Sequence, residues 1–233
     1  MTNNLTTSTD LAIGNELLTK IGNVKFCIVG CGGVGSLFAE MLVRSGAENI
    51  ALIDADKVEH KNLNRTPFVL DDIACFKVNA LERRLKTINS AINIEVIPRH
   101  FGTYIGGDED RQEVRNLVVD SGIIIIAIDS NNMRIECEKL LNDMSNQYLV
   151  IGVEINENIS RFVCGWMTKT PNFEKDLKGY GEKNGSYMSI VSEAVSSGFN
   201  LMMHHMKDGD FKKENYIERK YVNYFPVDNS QEQ

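Results

Sequence analysis

The stretch IVGCGGVGS (residues 28–36) ends an apolar run and breaks into four glycines. Gly30, Gly32 and Gly35 have the spacing G-x-G-x-x-G, with Gly33 between them. Glycines so placed allow a tight turn and a close approach of the backbone to a ligand, and the N-terminus of a following helix favours an anion. The pattern predicts a strand, a glycine turn and a helix that hold a phosphate compound. A strand–helix turn that binds nothing is the alternative interpretation of the glycines alone.

Strands and helices alternate along the chain after this turn. The segment IIIIAID (residues 123–129) is nearly all apolar, which is typical of a strand buried on both faces of a parallel sheet. Leu37, Met41 and Leu42 recur with helical spacing directly after the glycines. The alternation predicts an α/β fold with a Rossmann-like, doubly wound, mostly parallel sheet and antiparallel C-terminal strands. The expected strands are residues 24–29, 49–54, 93–101, 123–129, 148–155, 160–168 and 215–225, and the expected helices are residues 11–21, 34–45, 75–90, 131–144 and 188–206.

The chain is expected to form one domain, residues 1–233. Residues 20–153 contain the alternating segments and are expected to be the nucleotide-binding core. Residues 154–233 are expected to continue the sheet, and they include a loop rich in glycine and lysine at 171–187. Residues 1–10 are polar and are expected to be flexible.

The composition excludes several classes of protein. Hydrophobic residues make up 42% of the chain and charged residues 24%, as in an ordinary globular protein. No apolar run reaches the roughly 18 residues of a membrane span, and the polar start MTNNLTTSTD is unlike a signal peptide. A net charge of -7 argues against a nucleic-acid binder. We therefore expect a cytoplasmic protein that binds neither membranes nor nucleic acid.

The five cysteines do not indicate a metal or disulfide framework. An odd number without a signal peptide is unlike a disulfide scaffold, and no C-x-x-C pair occurs. No structural zinc is therefore expected. Cys164 is the last cysteine and lies in an apolar segment, so it is expected to be a core residue.

A cluster of polar residues follows the second predicted strand. Asp54 and Asp56 come at its end, and Asn62, Arg65 and Lys77 follow. In dinucleotide-binding folds, an acidic residue about 20 positions after the glycines binds the ribose. Asp54 has about this spacing along the sequence. Phosphate groups are bound by Arg and Lys, and Mg²⁺ is bound by carboxylates. The cluster therefore favours a nucleoside triphosphate as the ligand.

A further carboxylate, Asp129, ends the predicted strand 123–129. Open α/β sheets bind their ligands at the carboxyl ends of the strands, which is where this side chain is expected. An NAD(P)-dependent oxidoreductase is the competing interpretation, but hydride transfer has no need of the cluster that contains Arg65 and Lys77. A thermal-shift comparison of Mg-ATP with NAD distinguishes the two.

Four segments together resemble the ThiF/MoeB/HesA adenylyltransferases, which are bacterial relatives of ubiquitin-activating enzymes. These segments are GCGGVG, DADKVEHKNLNR, IACFK and AIDSNNMR. Asp54 and Arg65 keep the family's spacing within its N-L-x-R pattern, and Lys77 stands where the family has a lysine. Asp129 is followed by Arg134, similar to the family's D-N-x-x-x-R. The resemblance covers about residues 12–165.

The resemblance implies a role for each matched residue, with ATP and Mg²⁺ as the cofactors. The glycine turn would cradle the nucleotide, and Asp54 would bind the ribose. Asn62, Arg65 and Lys77 would hold the triphosphate and stabilise charge during displacement. Asp129 would bind Mg²⁺. The implied nucleotide-binding set is Gly30, Gly32, Gly33, Gly35, Asp54, Asp56, Asn62, Arg65 and Lys77, and the implied catalytic set is Arg65, Lys77, Asn62 and Asp129.

The resemblance also implies a reaction and partners. In the family, the C-terminal carboxylate of a ubiquitin-like or sulfur-carrier protein, or of a peptide, attacks the α-phosphate of ATP. The products are an acyl adenylate and pyrophosphate. A homodimer, or a heterodimer with a homologous chain, is expected. The alternative within the family is a non-catalytic partner subunit that serves as a scaffold for an activating enzyme.

The sequence departs from the family pattern in several places. Thr66 replaces the glutamine that usually follows the arginine of N-L-x-R. The family often has an arginine near the N-terminus that reaches the ATP of a neighbouring subunit, but here Lys20 is the only basic residue before the first strand. No cysteine follows Cys164, so adenylation without a thioester on this chain is expected.

Overall fold

The computed structural model describes residues 12–101, 108–129, 134, 137, 141, 148–155, 159–167, 188–208 and 216–222. The helices are α1 (Asn15–Asn23), α2 (Gly33–Arg44), α3 (Lys77–Ile88), α4 (Asp108–Val119) and α5 (Met188–Asp208). The strands are β1 (Lys25–Val29), β2 (Asn49–Ile53), β3 (Asn93–Ile97), β4 (Ile123–Ile126), β5 (Tyr148–Ile155), β6 (Ile159–Met167) and β7 (Tyr216–Val222). Two short 3-10 helices, His60–Asn62 and Leu70–Asp72, lie between β2 and α3.

These strands form one sheet in the order β3-β2-β1-β4-β5-β6-β7. The pairs from β3 to β5 are all parallel. Strands β6 and β7 continue the sheet as antiparallel strands. The predicted doubly wound, mostly parallel sheet with antiparallel C-terminal strands is therefore confirmed, and the order 3-2-1-4 is that of a Rossmann fold.

Strand β1 is anchored on both of its faces. Phe26 and Ile28 belong to a hydrophobic cluster that also includes side chains of α2, α3 and α5, whereas Cys27 and Val29 belong to a second cluster with α4. Successive side chains of a strand point to opposite faces, which explains the alternation. Burial of a large apolar side chain contributes about 1.5–3 kcal/mol. The end of β1, where the glycine turn begins, is therefore packed on both faces of the sheet.

Helix α2 is covered by α5 on one face of the sheet. The rings of Phe38 and Phe199 lie 5.5 Å apart at an interplanar angle of 56°. The buried stripe of α2 contains Phe38 and Leu42, while Leu37 and Met41 are only partly buried against the same cluster. The predicted buried face of Leu37, Met41 and Leu42 was therefore correct only for Leu42. The ring that packs against α5 is that of Phe38.

Within the described residues, one α-helix was not predicted from the sequence. Helix α4 precedes β4, and it buries Val114, Leu117 and Val118. Their i, i+3, i+4 spacing is the signal of an amphipathic helix, but charged residues dominate this segment and mask it. The strand predicted at 93–101 was too long, because β3 ends at Ile97, immediately before a proline that cannot donate to a sheet ladder.

Several predictions fall outside the described residues. These are the flexible segment 1–10, the loop 171–187 and most of the helix 131–144, of which Arg134, Cys137 and Leu141 are described and are helical. In the part of the chain that the structure describes, no helix is long and apolar enough to cross a membrane.

Candidate functional site

The glycine turn lies at the C-terminal end of β1, at the point where the strand order reverses. Strands β2 and β3 lie on one side of β1, and β4 and β5 lie on the other. Open α/β sheets bind ligands in the crevice at such a switch point, outside the carboxyl ends of the strands. The candidate site therefore consists of the turn and the segments that follow β2 and β4.

The glycines of the turn serve different steric needs. Gly30 has a φ of 94°, and a Cβ there would lie 2.6 Å from the carbonyl oxygen of Ala127. A Cβ on Gly35 would collide with the carbonyl group of Gly30. A Cβ on Gly32 would meet no atom within 4 Å. Gly30 and Gly35 are thus required by the fold, whereas Gly32 borders open space that a ligand could fill.

Helix α2 begins at the turn without a side-chain cap. Gly32 is the N-cap residue, no side chain accepts a hydrogen bond there, and the first turn contains no acidic residue. The first N–H groups of a helix have no acceptor within the helix, and the helix dipole adds partial positive charge at this end. An anion that reaches the turn would meet these N–H groups.

Arg65 packs over the start of α2. A Cβ on Gly33 would lie 3.2 Å from the carbonyl oxygen of Arg65 and 3.3 Å from its Cγ. Arg65 Nη1 donates to the carbonyl oxygen of Lys61 at 2.7 Å and to Asn64 Oδ1 at 2.9 Å. Gly33 is therefore a glycine that makes room for Arg65, whose stem lies beside the turn.

Asp54 ties the turn to the segment after β2. Its Oδ2 accepts a hydrogen bond from the backbone N–H of Cys31 at 2.6 Å, and its Oδ1 accepts one from the backbone N–H of Asp56 at 2.7 Å. Burial raises the pKa of Asp54, and the charge of Lys77 and the two N–H groups counteract this only in part. Each carboxylate oxygen has a second lone pair, so the predicted ribose contact is compatible with these bonds and stays a prediction.

Lys77, the first residue of α3, is a buried cation beside Asp54. Its Nζ lies 2.7 Å from Asp56 Oδ2, and its side chain is 11% exposed. Burial acts to lower the pKa of Lys77, but the negative charges of Asp54, Asp56 and Asp129 together hold it above its ordinary value. Lys77 is therefore a charged ammonium group at neutral pH, and the three carboxylates lie close enough to act on it.

Asp129 lies exposed just beyond β4, on the same edge of the sheet. Arg134 Nε donates a hydrogen bond to the carbonyl oxygen of Ile128, which directly precedes Asp129 in the chain. A Cβ on Gly152 of β5 would lie 3.1 Å from Arg134 Nη2, so Gly152 makes room for this guanidinium. The described residues contain no cluster of three or more His, Cys, Asp or Glu side chains that could hold a metal ion. The Mg²⁺ site at Asp129 stays a prediction.

Asn62 shapes the loop that carries Arg65. It is 6% exposed, and its Oδ1 accepts a hydrogen bond from the backbone N–H of Glu59 at 2.9 Å. Its carbonyl oxygen accepts one from the hydroxyl of Thr66 at 2.9 Å. The side-chain oxygen of Asn62 is therefore engaged within its own loop, and the predicted contact with a triphosphate stays a prediction.

Two other residues from the sequence analysis lie apart from these groups. Lys20 pairs with Glu16 on α1, with 2.9 Å between Nζ and Oε1. Cys164 is fully buried in β6, which confirms that it is a core residue, and burial raises its pKa to about 12. The Cys31 N–H was not predicted from the sequence as a partner of Asp54, because a backbone donor leaves no side-chain signature.

Comparisons with known proteins agree with this architecture. The ThiF family model matches residues 7–190. Ubiquitin-like modifier-activating enzyme 5 of Gallus gallus is 31% identical over 141 residues, covering 59% of this chain and 36% of the relative. The protein of the same name from Oryza sativa subsp. japonica is 31% identical over 141 residues, covering 58% of this chain and 33% of the relative.

Solved structures share the fold at low sequence identity. The structure of E. coli MccB with ATP has a TM-score of 0.73 at 20% identity and covers 95% of this chain and 71% of that chain. MccB with AMPCPP and MccA has a TM-score of 0.72 at 19% identity, with the same coverage of 95% and 71%. The chain spans about a third of the length of the curated relatives that it matches.

Proposed function

The chain belongs to the ThiF family, and on this premise we propose that it is an ATP-dependent adenylyltransferase. Its substrate is the C-terminal carboxylate of a ubiquitin-like or sulfur-carrier protein, or of a peptide. One carboxylate oxygen attacks the α-phosphorus of ATP, the bond to the bridging oxygen breaks, and pyrophosphate leaves with its electron pair. The products are an acyl adenylate and pyrophosphate.

The observation that carries this proposal is the buried Lys77 beside the glycine turn. Its ammonium group is kept charged by Asp54, Asp56 and Asp129, and a preorganised cation is what phosphoryl chemistry requires. Hydride transfer from a nicotinamide would make no use of it. The bare N-terminus of α2 adds a second site for phosphate oxygens.

The proposed division of roles follows from the positions of the side chains. Gly32 lets the phosphates approach the N–H groups of α2, and Asp54 holds the turn in shape while it binds the ribose. Lys77 and Arg65 neutralise the negative charge that develops on the leaving pyrophosphate. The protein's contribution is therefore positioning and charge neutralisation.

Magnesium fits the donor set at the edge of the sheet. Mg²⁺ prefers oxygen ligands and is commonly bound through one or two carboxylates together with substrate phosphates, and Asp129 presents an exposed carboxylate there. Asp129 would hold the ion, which would neutralise phosphate charge. Its loop is positioned through the bond from Arg134 to the carbonyl oxygen of Ile128.

Titration calorimetry and a pyrophosphate assay test the proposal together. We expect Mg-ATP to bind and NAD not to bind. Pyrophosphate should then be released with a set of ubiquitin-like proteins and peptides that end in a free carboxylate, including Gly-Gly tails. The matched control is the same peptide with a C-terminal amide, which cannot be adenylated and should release none. Binding of NAD without binding of ATP would contradict the proposal.

A second candidate is a partner subunit that depends on a homologous chain for catalysis. Lys20, the basic residue nearest the N-terminus, forms only an exposed ion pair with Glu16 on its own helix, which costs little to break. The candidate sources of an additional cation are therefore Lys20 of a second copy and a homologous chain. In that case the chain alone binds Mg-ATP and releases no pyrophosphate, and adding the homologous chain restores release. The proposed assembly is a dimer, as a homodimer in the first case and a heterodimer in the second.

A further inference from the structure

Asp56 contacts Lys77 at two points. Its carbonyl oxygen accepts the backbone N–H of Lys77 at 2.8 Å, and its Oδ2 lies 2.7 Å from Lys77 Nζ. The backbone N–H of Asp56 is itself held by Asp54 Oδ1 at 2.7 Å. The backbone of Asp56 is therefore fixed on both sides, and its carboxylate is directed at the ammonium group.

The two partners of this ion pair differ in their access to water. The side chain of Lys77 is 11% exposed and that of Asp56 is 60% exposed. A buried ammonium group without an anionic partner is costly, whereas an exposed carboxylate is readily solvated. An anion from solvent could therefore replace Asp56 at Lys77, because Asp56 would turn to water and Lys77 would keep a partner.

We propose that Asp56 is an exchangeable counter-ion of Lys77, whose carboxylate competes with a polyphosphate chain for the same ammonium group. Asp56 thus positions Lys77 in the charged state before the nucleotide arrives. This inference rests on the proposed function only in naming a nucleotide polyphosphate as the incoming anion. It gives Asp56 a role through Lys77, where the family resemblance implied a contact with the nucleotide.

A double-mutant cycle on pyrophosphate binding tests the competition. The probe is inorganic pyrophosphate at about 0.15 M ionic strength, where the Debye length is about 8 Å. EDTA is present so that no metal bridges the probe to a carboxylate. The four proteins are wild type, Asp56→Asn, Lys77→Met and the double variant. We expect Asp56→Asn to tighten binding about tenfold when Lys77 is present, which is within the range of couplings between contacting residues.

The Lys77→Met background separates competition from simple repulsion. There, Asp56→Asn removes only an exposed, well-screened negative charge, and we expect a change of about twofold or less. Equal tightening in both backgrounds would show that Asp56 merely repels anions. Weaker binding in Asp56→Asn, unchanged binding, or no binding in any variant would also overturn the proposal.

A matched control and a second readout complete the test. Asp72→Asn makes the same substitution in the same segment, between β2 and α3, and Asp72 pairs with Arg83 at 2.9 Å. This variant should leave pyrophosphate affinity unchanged. Lysine NMR should show a lower pKa of Lys77 in Asp56→Asn and no change in Asp72→Asn. An unchanged pKa in both would refute the ion pair.

The outcome does not depend on adenylation. Suppose that the wild-type protein binds Mg-ATP and releases pyrophosphate with a carboxylate substrate, but Asp56→Asn and Lys77→Met show no coupling in pyrophosphate binding. That result would refute the counter-ion and leave the proposed function standing. If the coupling is present but no carboxylate substrate leads to release of pyrophosphate from Mg-ATP, the counter-ion stands and the proposed function is refuted.

Discussion

Replacing Lys77 with methionine should weaken the binding of ATP far more than that of AMP. Methionine keeps most of the buried stem and removes the charge, so packing around the 11% exposed side chain is largely preserved. The ammonium group is expected to face the outer phosphates, which AMP lacks. Comparing ATP with AMP in this variant therefore separates the contribution of the outer phosphates to binding from that of the rest of the nucleotide.

The magnitude follows from two opposing terms. Two unit charges 4 Å apart attract by about 4 kcal/mol at an effective dielectric constant of about 20, which suits a partly buried site. In the free protein Lys77 already pairs with Asp56, so part of this attraction is lost when a phosphate takes its place. We expect a net loss of about 2–3 kcal/mol, or roughly 30- to 150-fold in ATP affinity.

Titration with a non-hydrolysable ATP analogue and with AMP measures the effect without a known substrate. AMP lacks the outer phosphates that the ammonium group is expected to contact, so its affinity should change by only about threefold or less, roughly 0.6 kcal/mol. Lys86→Met is the matched control, because Lys86 lies on the same helix and pairs with Glu82 at 2.7 Å on the exposed face. Equal losses for ATP and AMP, or an equal loss in Lys86→Met, would refute the placement of Lys77 at the outer phosphates.

Four further outcomes are expected. Asp129→Ala should abolish Mg-ATP-dependent pyrophosphate release while leaving the melting temperature unchanged, because this exposed carboxylate is proposed to bind Mg²⁺; normal release would contradict that assignment. Arg65→Ala should reduce turnover by about 3 kcal/mol in activation free energy and affect AMP binding less, which steady-state kinetics and calorimetry would measure. Gly30→Ala should unfold at lower denaturant concentration than Gly32→Ala, since only Gly30 has a positive φ and a crowded Cβ position; equal midpoints would count against the steric argument. Sedimentation should show a dimer. If the protein sediments as a monomer and the Lys20→Ala variant is fully active, both the dimer and a charge supplied in trans are excluded.

Local pattern was sufficient to predict the sheet and to select candidate residues for a site. The glycine spacing located the turn after β1, and the apolar run at 123–129 indicated a strand buried on both faces. Lys77 was singled out as a member of the polar cluster after the second strand, and Asp129 because it ends a strand at the edge where open α/β sheets bind ligands. Such signals are readable because secondary structure repeats over a few residues and leaves its period in the sequence.

Tertiary structure decided which of these polar groups are partners. Asp54 meets the Cys31 N–H across 23 residues, and Lys77 meets Asp56 across 21. Asn62, which the sequence placed among the phosphate ligands, also accepts a hydrogen bond from the backbone N–H of Glu59 in its own loop, and its contact with a phosphate stays a prediction. Contacts of this kind depend on how the segment between β2 and α3 folds back beside the glycine turn. Residue spacing does not encode that path, because it is set by packing against the sheet and by the burial of charges that must find counter-ions.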